Sequence, residues 1–430
     1  MTMSTTQDRP GSLSRREFLQ TTAKATAAAG ILSAAPFAAR GRVLGANDTV
    51  GVGFIGVGGR GRSHLDLVRW MSEHGYKARL VAVCDAYGPR LRSAAQSAGP
   101  DVKPYRRHHE LLADAAVDAV LIATPDRLHL PQALDAIAAG KDVYCEKPMG
   151  HWSQFALAKR FSQETLRLRR VVQIGNQGNS SQAWHQVAEL IQQGAIGRVS
   201  HIQAGYYREG DWGERMPIPD PKATPGPDLD WEAFLGDAPR KPFSVERFFS
   251  WRSYLDYAGG PCTDFFPHVF TPFVSIFGLA FPARAAATGG IFKYDHYGRE
   301  VPDTFNLCLD YTDKKLAVNL TCTQVNEYPT EPCIRGDEGA ITLQNPAWEV
   351  GFDTVTVIPK KGERRVIKGE KPNTTLKHWE NFLECIRTRE TPLSSAQFGY
   401  HVQTAFCMGM MSFLKDRVAR FDCAKERMLL

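Results

Sequence analysis

No two cysteines stand in a CxxC arrangement, and the nine present, from Cys84 to Cys423, follow no regular spacing. An odd, irregular set argues against a disulfide framework, and the missing ligand spacing gives no sign of a zinc or other metal site. Blocks of like charge are missing too. The formal charge of +6 is spread along the whole length, without the clustered basic footprint of a nucleic-acid-binding chain. Outside one alanine-rich stretch near the N-terminus there is no low-complexity tract, and there is no internal repeat. What remains is a globular composition, 43% hydrophobic and 10% aromatic. Its 430 residues leave room for two domains with real cores.

The first residues carry an address. Ser14-Arg15-Arg16-Glu17-Phe18-Leu19-Gln20 resembles a twin-arginine export signal, followed by a weakly apolar stretch from Ala23 to Ala39 that contains Lys24 and ends in the small residues 34–39. An amphipathic first helix would read less alanine-rich than this. The stretch is also too short and too weakly apolar for a comfortable membrane span of about 20 residues. Residues 1–45 are therefore expected to be a signal read by the twin-arginine machinery, giving an exported, periplasmic protein, tethered to the membrane if the signal stays on. Because that route carries folded chains, buried thiols arrive outside still reduced.

Past residue 45 the pattern is α/β. Val50-Gly51-Val52-Gly53-Phe54-Ile55 suits a buried parallel strand, and Ser63 to Ser72 suits a helix. Strands Leu80 to Asp85, Ala119 to Pro125 and Asp142 to Pro148 follow, alternating with helical segments as in a doubly wound parallel sheet. Beyond about Gly175 the texture changes. Proline and aromatic residues crowd 206–242 as an irregular excursion. Partly alternating strands at 304–311, 316–324, 340–343 and 354–359 predict a mainly antiparallel, open-faced sheet. Apolar residues Leu376, Trp379, Phe382, Leu383 and Ile386 predict an amphipathic helix, and a mostly apolar helix is expected to close the chain. The expected division is a Rossmann domain over 46–174 and an α+β substrate-binding and oligomerisation domain over 175–430, with C-terminal helices within 376–418.

Between the first strand and its helix lies Gly56-Val57-Gly58-Gly59-Arg60-Gly61, and Asp85 ends the next strand 24 residues after Gly61. Glycines there allow a tight turn and close approach to a pyrophosphate, which the helix N-terminus attracts. Asp85 would accept hydrogen bonds from ribose hydroxyls and repel a 2′-phosphate, favouring NAD; Arg60 and Arg90 keep NADP possible.

The pairing of Ala123-Thr124-Pro125-Asp126-Arg127-Leu128-His129 with Glu146-Lys147-Pro148 resembles the ATPxxxH and Glu-Lys-Pro motifs of the Gfo/Idh/MocA oxidoreductases. Similarity continues through Gln173-Ile174-Gly175-Asn176-Gln177, Gly259-Gly260 with Asp264 and His268, and the Asn381-Phe382-Leu383 helix. The resemblance implies cofactor contacts from Gly56, Gly58, Gly59, Arg60, Gly61, Asp85, Thr124, Pro125, His129, Glu146, Lys147 and Gln177. It also implies a homo-oligomer acting on a sugar or polyol, with Asp264 binding substrate and His268 as general acid/base. Oxidising a secondary alcohol needs a base for the hydroxyl proton and a cation that lowers its pKa; Lys147, at the C-terminal edge of the parallel sheet, is the candidate cation. Alone, Lys147 would read as an exposed charge and His268 as a satisfied partly buried histidine. Pro267 requires the Asp264/His268 pair to sit near a helix N-terminus.

Of the aromatics Tyr206, Tyr207, Trp212, Trp231, Trp251, Tyr254 and Tyr257, most read as core or oligomer contacts; Trp251 and Arg252 are singled out as substrate-binding. An exported enzyme meets no soluble nicotinamide pool, so its cofactor is expected to be loaded before export and held tightly. Two other uses of these residues stay open: a glycoside-cleaving hydrolase or lyase working by transient oxidation of a sugar carbon, and a non-catalytic sugar or dinucleotide sensor. A sensor has no need for Lys147, Asp264 and His268 together.

Overall fold

The computed structural model describes residues 48–211, 217–348, 350–369 and 371–430. The export-signal segment and Trp212 lie outside the described residues.

Strands β1 (Val50–Ile55), β2 (Ala78–Cys84), β3 (Lys103–Tyr105), β4 (Ala119–Ile122), β5 (Asp142–Glu146) and β6 (Val172–Gly175) pair in the order β3-β2-β1-β4-β5-β6, all parallel. Helices on both faces explain why β1 and β4 hold no polar residue: every side chain in them is buried. The order reverses between β1 and β4, which opens a crevice at the C-terminal strand ends. The sequence pattern misses β3, an edge strand of three residues, and β6.

The second sheet has ten strands: β7 (Val199–Tyr207), β8 (Arg284–Gly290), β9 (Thr304–Tyr311), β10 (Leu316–Thr323), β11 (Cys333–Gly336), β12 (Gly339–Gln344), β13 (Thr354–Pro359), β14 (Arg365–Lys368), β15 (Ala419–Asp422) and β16 (Arg427–Leu429). Their order is β14-β13-β12-β11-β7-β10-β9-β8-β15-β16, antiparallel except for the parallel pair β7 and β10. Along β10 burial alternates residue by residue, with Leu316, Val318, Leu320 and Cys322 turned inward. These meet Phe266, Phe270 and Phe273 of helix Phe266–Phe277 and Phe406 of helix Ala396–Lys415 in one core. Each such large side chain contributes about 1.5–3 kcal/mol. The chain closes on β15 and β16 rather than on a helix, because β15 finds an edge to pair with at β8.

Helix Thr374–Thr388 begins where the Asn373 side chain accepts a hydrogen bond from the Leu376 N–H, and ends at Arg389 in the left-handed conformation. Its apolar stripe, Trp379, Phe382, Leu383 and Ile386, packs against Val50, Phe54, Leu65 and Tyr144 of the parallel-sheet domain. All nine cysteines are unpaired, seven of them buried. Among the described residues no helix is long and apolar enough to cross a membrane.

Candidate active site

A cavity of about 660 Å³ lies at the crevice predicted by the strand order. Its floor is the turn from β1 into helix Gly59–Glu73, which begins four residues earlier than the sequence pattern suggests. Gly56 has φ +85°, and a Cβ at Gly61 would sit 1.9 Å from the Gly56 carbonyl oxygen. These two glycines let helix and strand close together. Gly58 and Gly59 face the cavity instead; a Cβ at Gly59 would meet nothing within 4 Å, and no side chain caps the helix N-terminus at Gly58. An uncapped N-terminus beneath open backbone is an anion seat, and it fits a dinucleotide pyrophosphate.

Asp85 follows β2 at the cavity wall. Its carboxylate accepts hydrogen bonds from the Val57 N–H (2.9 Å) and the Tyr87 N–H (2.8 Å). Burial raises its pKa, against the pull of Arg90. The residue thus fixes the glycine turn and keeps lone pairs for ribose hydroxyls. Arg90 stacks over Tyr87 and Phe249 and lines the same end of the cavity with Arg106.

The motif after β4 divides its labour. The Thr124 hydroxyl donates to Gln132, and the ring nitrogens of His129 lie 2.7 Å from the Pro148 oxygen and 2.8 Å from the Thr124 oxygen, which ties the exits of β4 and β5 together. Burial lowers the His129 pKa. Thr124, Pro125 and His129 all line the cavity.

Glu146, the last residue of β5, is the hub of a buried network. Its Oε1 receives Arg60 Nε at 2.9 Å and Gln177 Nε2 at 2.9 Å, and lies 2.7 Å from His64 Nε2. Burial works to raise its pKa, but Arg60 and His64 hold it well below the usual carboxylate range. Arg60 and Glu146 remain in the cavity wall; Gln177 does not, and Gly61 is buried behind the turn. Gln177 donates to Tyr144 and Glu146, and Gly61 packs against the Gly56 backbone.

Lys147 precedes a cis peptide bond to Pro148. Its ammonium donates to both the backbone oxygen and Oδ1 of Asp264, 2.8 Å each, and Arg252 Nε approaches that Oδ1 at 3.6 Å. Burial opposes ionisation of Asp264, yet Lys147 and Arg252 keep its carboxyl well below the ordinary range. Asp264 ends the short helix Pro261–Asp264, and a new helix starts at Phe266, so Pro267 falls in a first turn where proline is tolerated. His268 then reaches the cavity wall beside Lys147, Trp251 and Arg252, while Asp264 stands behind Lys147. Arg252 lies 4.2 Å from the Trp251 ring centroid. Trp231, Tyr254 and Tyr257 instead fill an aromatic core with Phe234 and Phe248.

Among the wall residues that the sequence does not single out is an acid. Asp126, the first residue of helix Asp126–Ala138, is buried in the cavity lining and accepts a hydrogen bond from the Thr263 hydroxyl at 3.2 Å. Burial pushes its carboxyl up to about 7, against the pull of Arg252 and with the Asp264 charge adding to the rise. An acid directly after a parallel-strand exit was the available signal.

Residues 50–176 match the sequence profile of the Gfo/Idh/MocA family, described as "Oxidoreductase family, NAD-binding Rossmann fold". Inositol 2-dehydrogenase 1 of Saccharopolyspora erythraea is 36% identical over 149 residues, 35% of this chain and 43% of that protein. Inositol 2-dehydrogenase of Gluconacetobacter diazotrophicus is 33% identical over 156 residues, 36% of this chain and 45% of that protein. The chain thus spans less than half the length of these curated relatives. In fold it is similar to a levoglucosan dehydrogenase solved with NADH and levoglucosan (TM-score 0.66, 18% identity, 87% of this chain and 99% of that one). It is also similar to the WlbA dehydrogenase of Bordetella pertussis solved with NADH and UDP-GlcNAcA (TM-score 0.63, 18% identity, 87% and 99%). Glycine turn, uncapped helix and Asp85 agree with the profile: residues 50–176 form a Rossmann domain that is similar in sequence to the NAD-binding domain of the Gfo/Idh/MocA oxidoreductases.

Proposed function

We propose that this protein is an NAD-dependent oxidoreductase acting on a ring hydroxyl of a sugar or polyol. The observation that carries the reading is the Lys147 ammonium, held by two hydrogen bonds that it donates to Asp264 at the wall of the cavity that also receives His268. An ammonium has three N–H donors. Two are spent on Asp264, and the third is left for a substrate oxygen, whose hydroxyl it acidifies. His268 exchanges that hydroxyl proton. When bound, the nicotinamide supplies the hydride acceptor or donor for the carbinol carbon. Gly58 and Gly59 would seat the pyrophosphate and Asp85 the adenosine ribose, which favours NAD over a cofactor with a 2′-phosphate. Inositol and levoglucosan dehydrogenases among the relatives and fold neighbours support a polyhydroxylated ring as substrate.

A second reading, redox-neutral cleavage of a glycoside through transient oxidation, draws on Asp126, a buried carboxyl in the same wall able to take or give a proton near neutral pH. On either reading we place the protein outside the cytoplasm through its twin-arginine segment, with tightly held cofactor and a homo-oligomeric state.

Purified without added nucleotide, the protein should release NAD or NADH on denaturation, identified by mass spectrometry. With a panel of inositols, anhydrosugars and glycosides, alcohol oxidation leaves reduced cofactor and a ketone, whereas glycoside cleavage leaves a free aglycone and no net reduction. A protein that neither carries nor binds nucleotide would end both readings.

A further inference from the structure

Helix His108–Ala113 opens with two adjacent histidines, and helix Asp126–Ala138 places Asp135 opposite them. Neighbouring positions on a helix project in different directions and do not normally face one another. Here both imidazoles turn to the same atom: His108 Nε2 lies 2.9 Å from Asp135 Oδ2, and His109 Nε2 lies 3.8 Å from it. The ring centroids are 3.9 Å apart, and the three ligand atoms fall within 4.8 Å of one another. An ion pair with Asp135 would need one histidine. Two nitrogens and an oxygen within 4.8 Å of one another, drawn from two helices, are close enough to hold one metal ion.

We propose that His108, His109 and Asp135 form a binding site for a borderline divalent transition metal of the zinc class, at the rim of the nucleotide cavity. Imidazole nitrogen and carboxylate oxygen are the donors such ions take. Ligands about 2.0–2.1 Å from a tetrahedral ion stand about 3.3 Å apart, and the observed 2.9 and 3.8 Å separations straddle that distance. Side-chain exposures of 22% for His108, 43% for Asp135 and 68% for His109 leave an entry path and room for water on the remaining coordination positions. The nearby Arg107 guanidinium is turned away to Asp230, 3.0 Å distant, and does not occupy the site. His108 and His109 both line the cavity, and the second helix carries Asp126 and His129 in its wall. A bound ion would therefore clip two segments of the nucleotide pocket together. The cysteine spacing gave no hint of this site because it uses no thiolate, and its third ligand lies 26 residues beyond the histidine pair.

The test uses the full chain without a histidine tag, stripped with chelator and titrated with cobalt(II) chloride by visible absorption and with zinc chloride by calorimetry. One ion per chain should bind, with a visible d–d band that zinc abolishes. His109→Ala, at an exposed position that leaves packing intact, and Asp135→Asn, which keeps the side-chain shape, should each weaken binding about 10- to 100-fold. Circular dichroism spectra matching the parent would show both variants folded. No stoichiometric ion in the parent, or unchanged affinity in both folded variants, overturns the assignment.

Discussion

Replacing Asp126 by asparagine should stabilise the nucleotide-free protein at pH 8 and do little at pH 4. The carboxyl is buried and its pKa rises from the ordinary 3.8 to about 7. That is a shift of about 3 units, equivalent to about 4 kcal/mol at about 1.4 kcal/mol per unit. The sign follows from where each state holds its proton. Below pH 4 folded and unfolded chains both keep it, and the site costs nothing. Between about pH 4 and 7 the unfolded chain releases the proton while the folded one retains it, so stability falls as pH rises, reaching the full penalty above pH 7. Asparagine has the same shape, cannot ionise, and its Oδ1 can still accept from Thr263, so the substitution itself should cost no more than about 1 kcal/mol. Urea unfolding of parent and variant at pH 4.5, 6 and 8 measures the difference, which should grow by about 2–4 kcal/mol across the series in favour of the variant. A difference that stays flat with pH, or one that grows in favour of the parent, would refute the argument that burial outweighs Arg252 and Lys147 at this site.

Lys147→Met should lower kcat for the proposed polyol oxidation by about 100- to 1,000-fold while nucleotide affinity, measured by NADH fluorescence, stays near the parent value; equal losses in both would mean the ammonium holds cofactor rather than substrate. Gly61→Ala places a methyl 1.9 Å from the Gly56 oxygen, and NADH titration should show at least about tenfold weaker binding, because strand and helix can no longer close the turn. Asp85→Ser removes a charged acceptor worth about 1.5–3 kcal/mol, so affinity for NAD should fall about 10- to 100-fold while that for NADP falls less; calorimetry with the two nucleotides reads the ratio directly.

The parallel sheet was legible because its strands are buried on both faces: Val50 to Ile55 and Ala119 to Ile122 contain nothing that needs water. Strands β9 and β13 were read to their ends, since alternate residues face core and solvent. β7, which lies inside the ten-stranded sheet, was not. Its polar residues mask the alternation, and they are satisfied by neighbours that the sequence cannot place: His201 lies 2.9 Å from Asn319 and 3.0 Å from Arg335. The site divides the same way. Motif chemistry brought Lys147, Asp264 and His268 together, and the structure places Lys147 and His268 in one cavity wall with Asp264 on the Lys147 ammonium, whereas the contacts of Gln177 and Glu146 reach partners 31 to 86 positions apart in the chain. Asp126 stands inside the same motif, between Pro125 and His129, but its burial in the cavity wall comes from the packing of Thr263 and its neighbours, which the sequence does not display.

Helix Thr374–Thr388 sets the timing of assembly. The face it covers includes His64, whose Nδ1 accepts from Trp379 Nε1 across 315 positions, and Tyr76, whose hydroxyl donates to Glu380 across 304. During synthesis the nucleotide-binding half therefore waits, with Phe54 and Tyr144 uncovered on that side, until the ribosome has delivered residue 388. Such a chain is slow to seal and open to aggregation in the interval. A fragment ending near residue 176 would keep the glycine turn and the dinucleotide fingerprint yet leave this face bare.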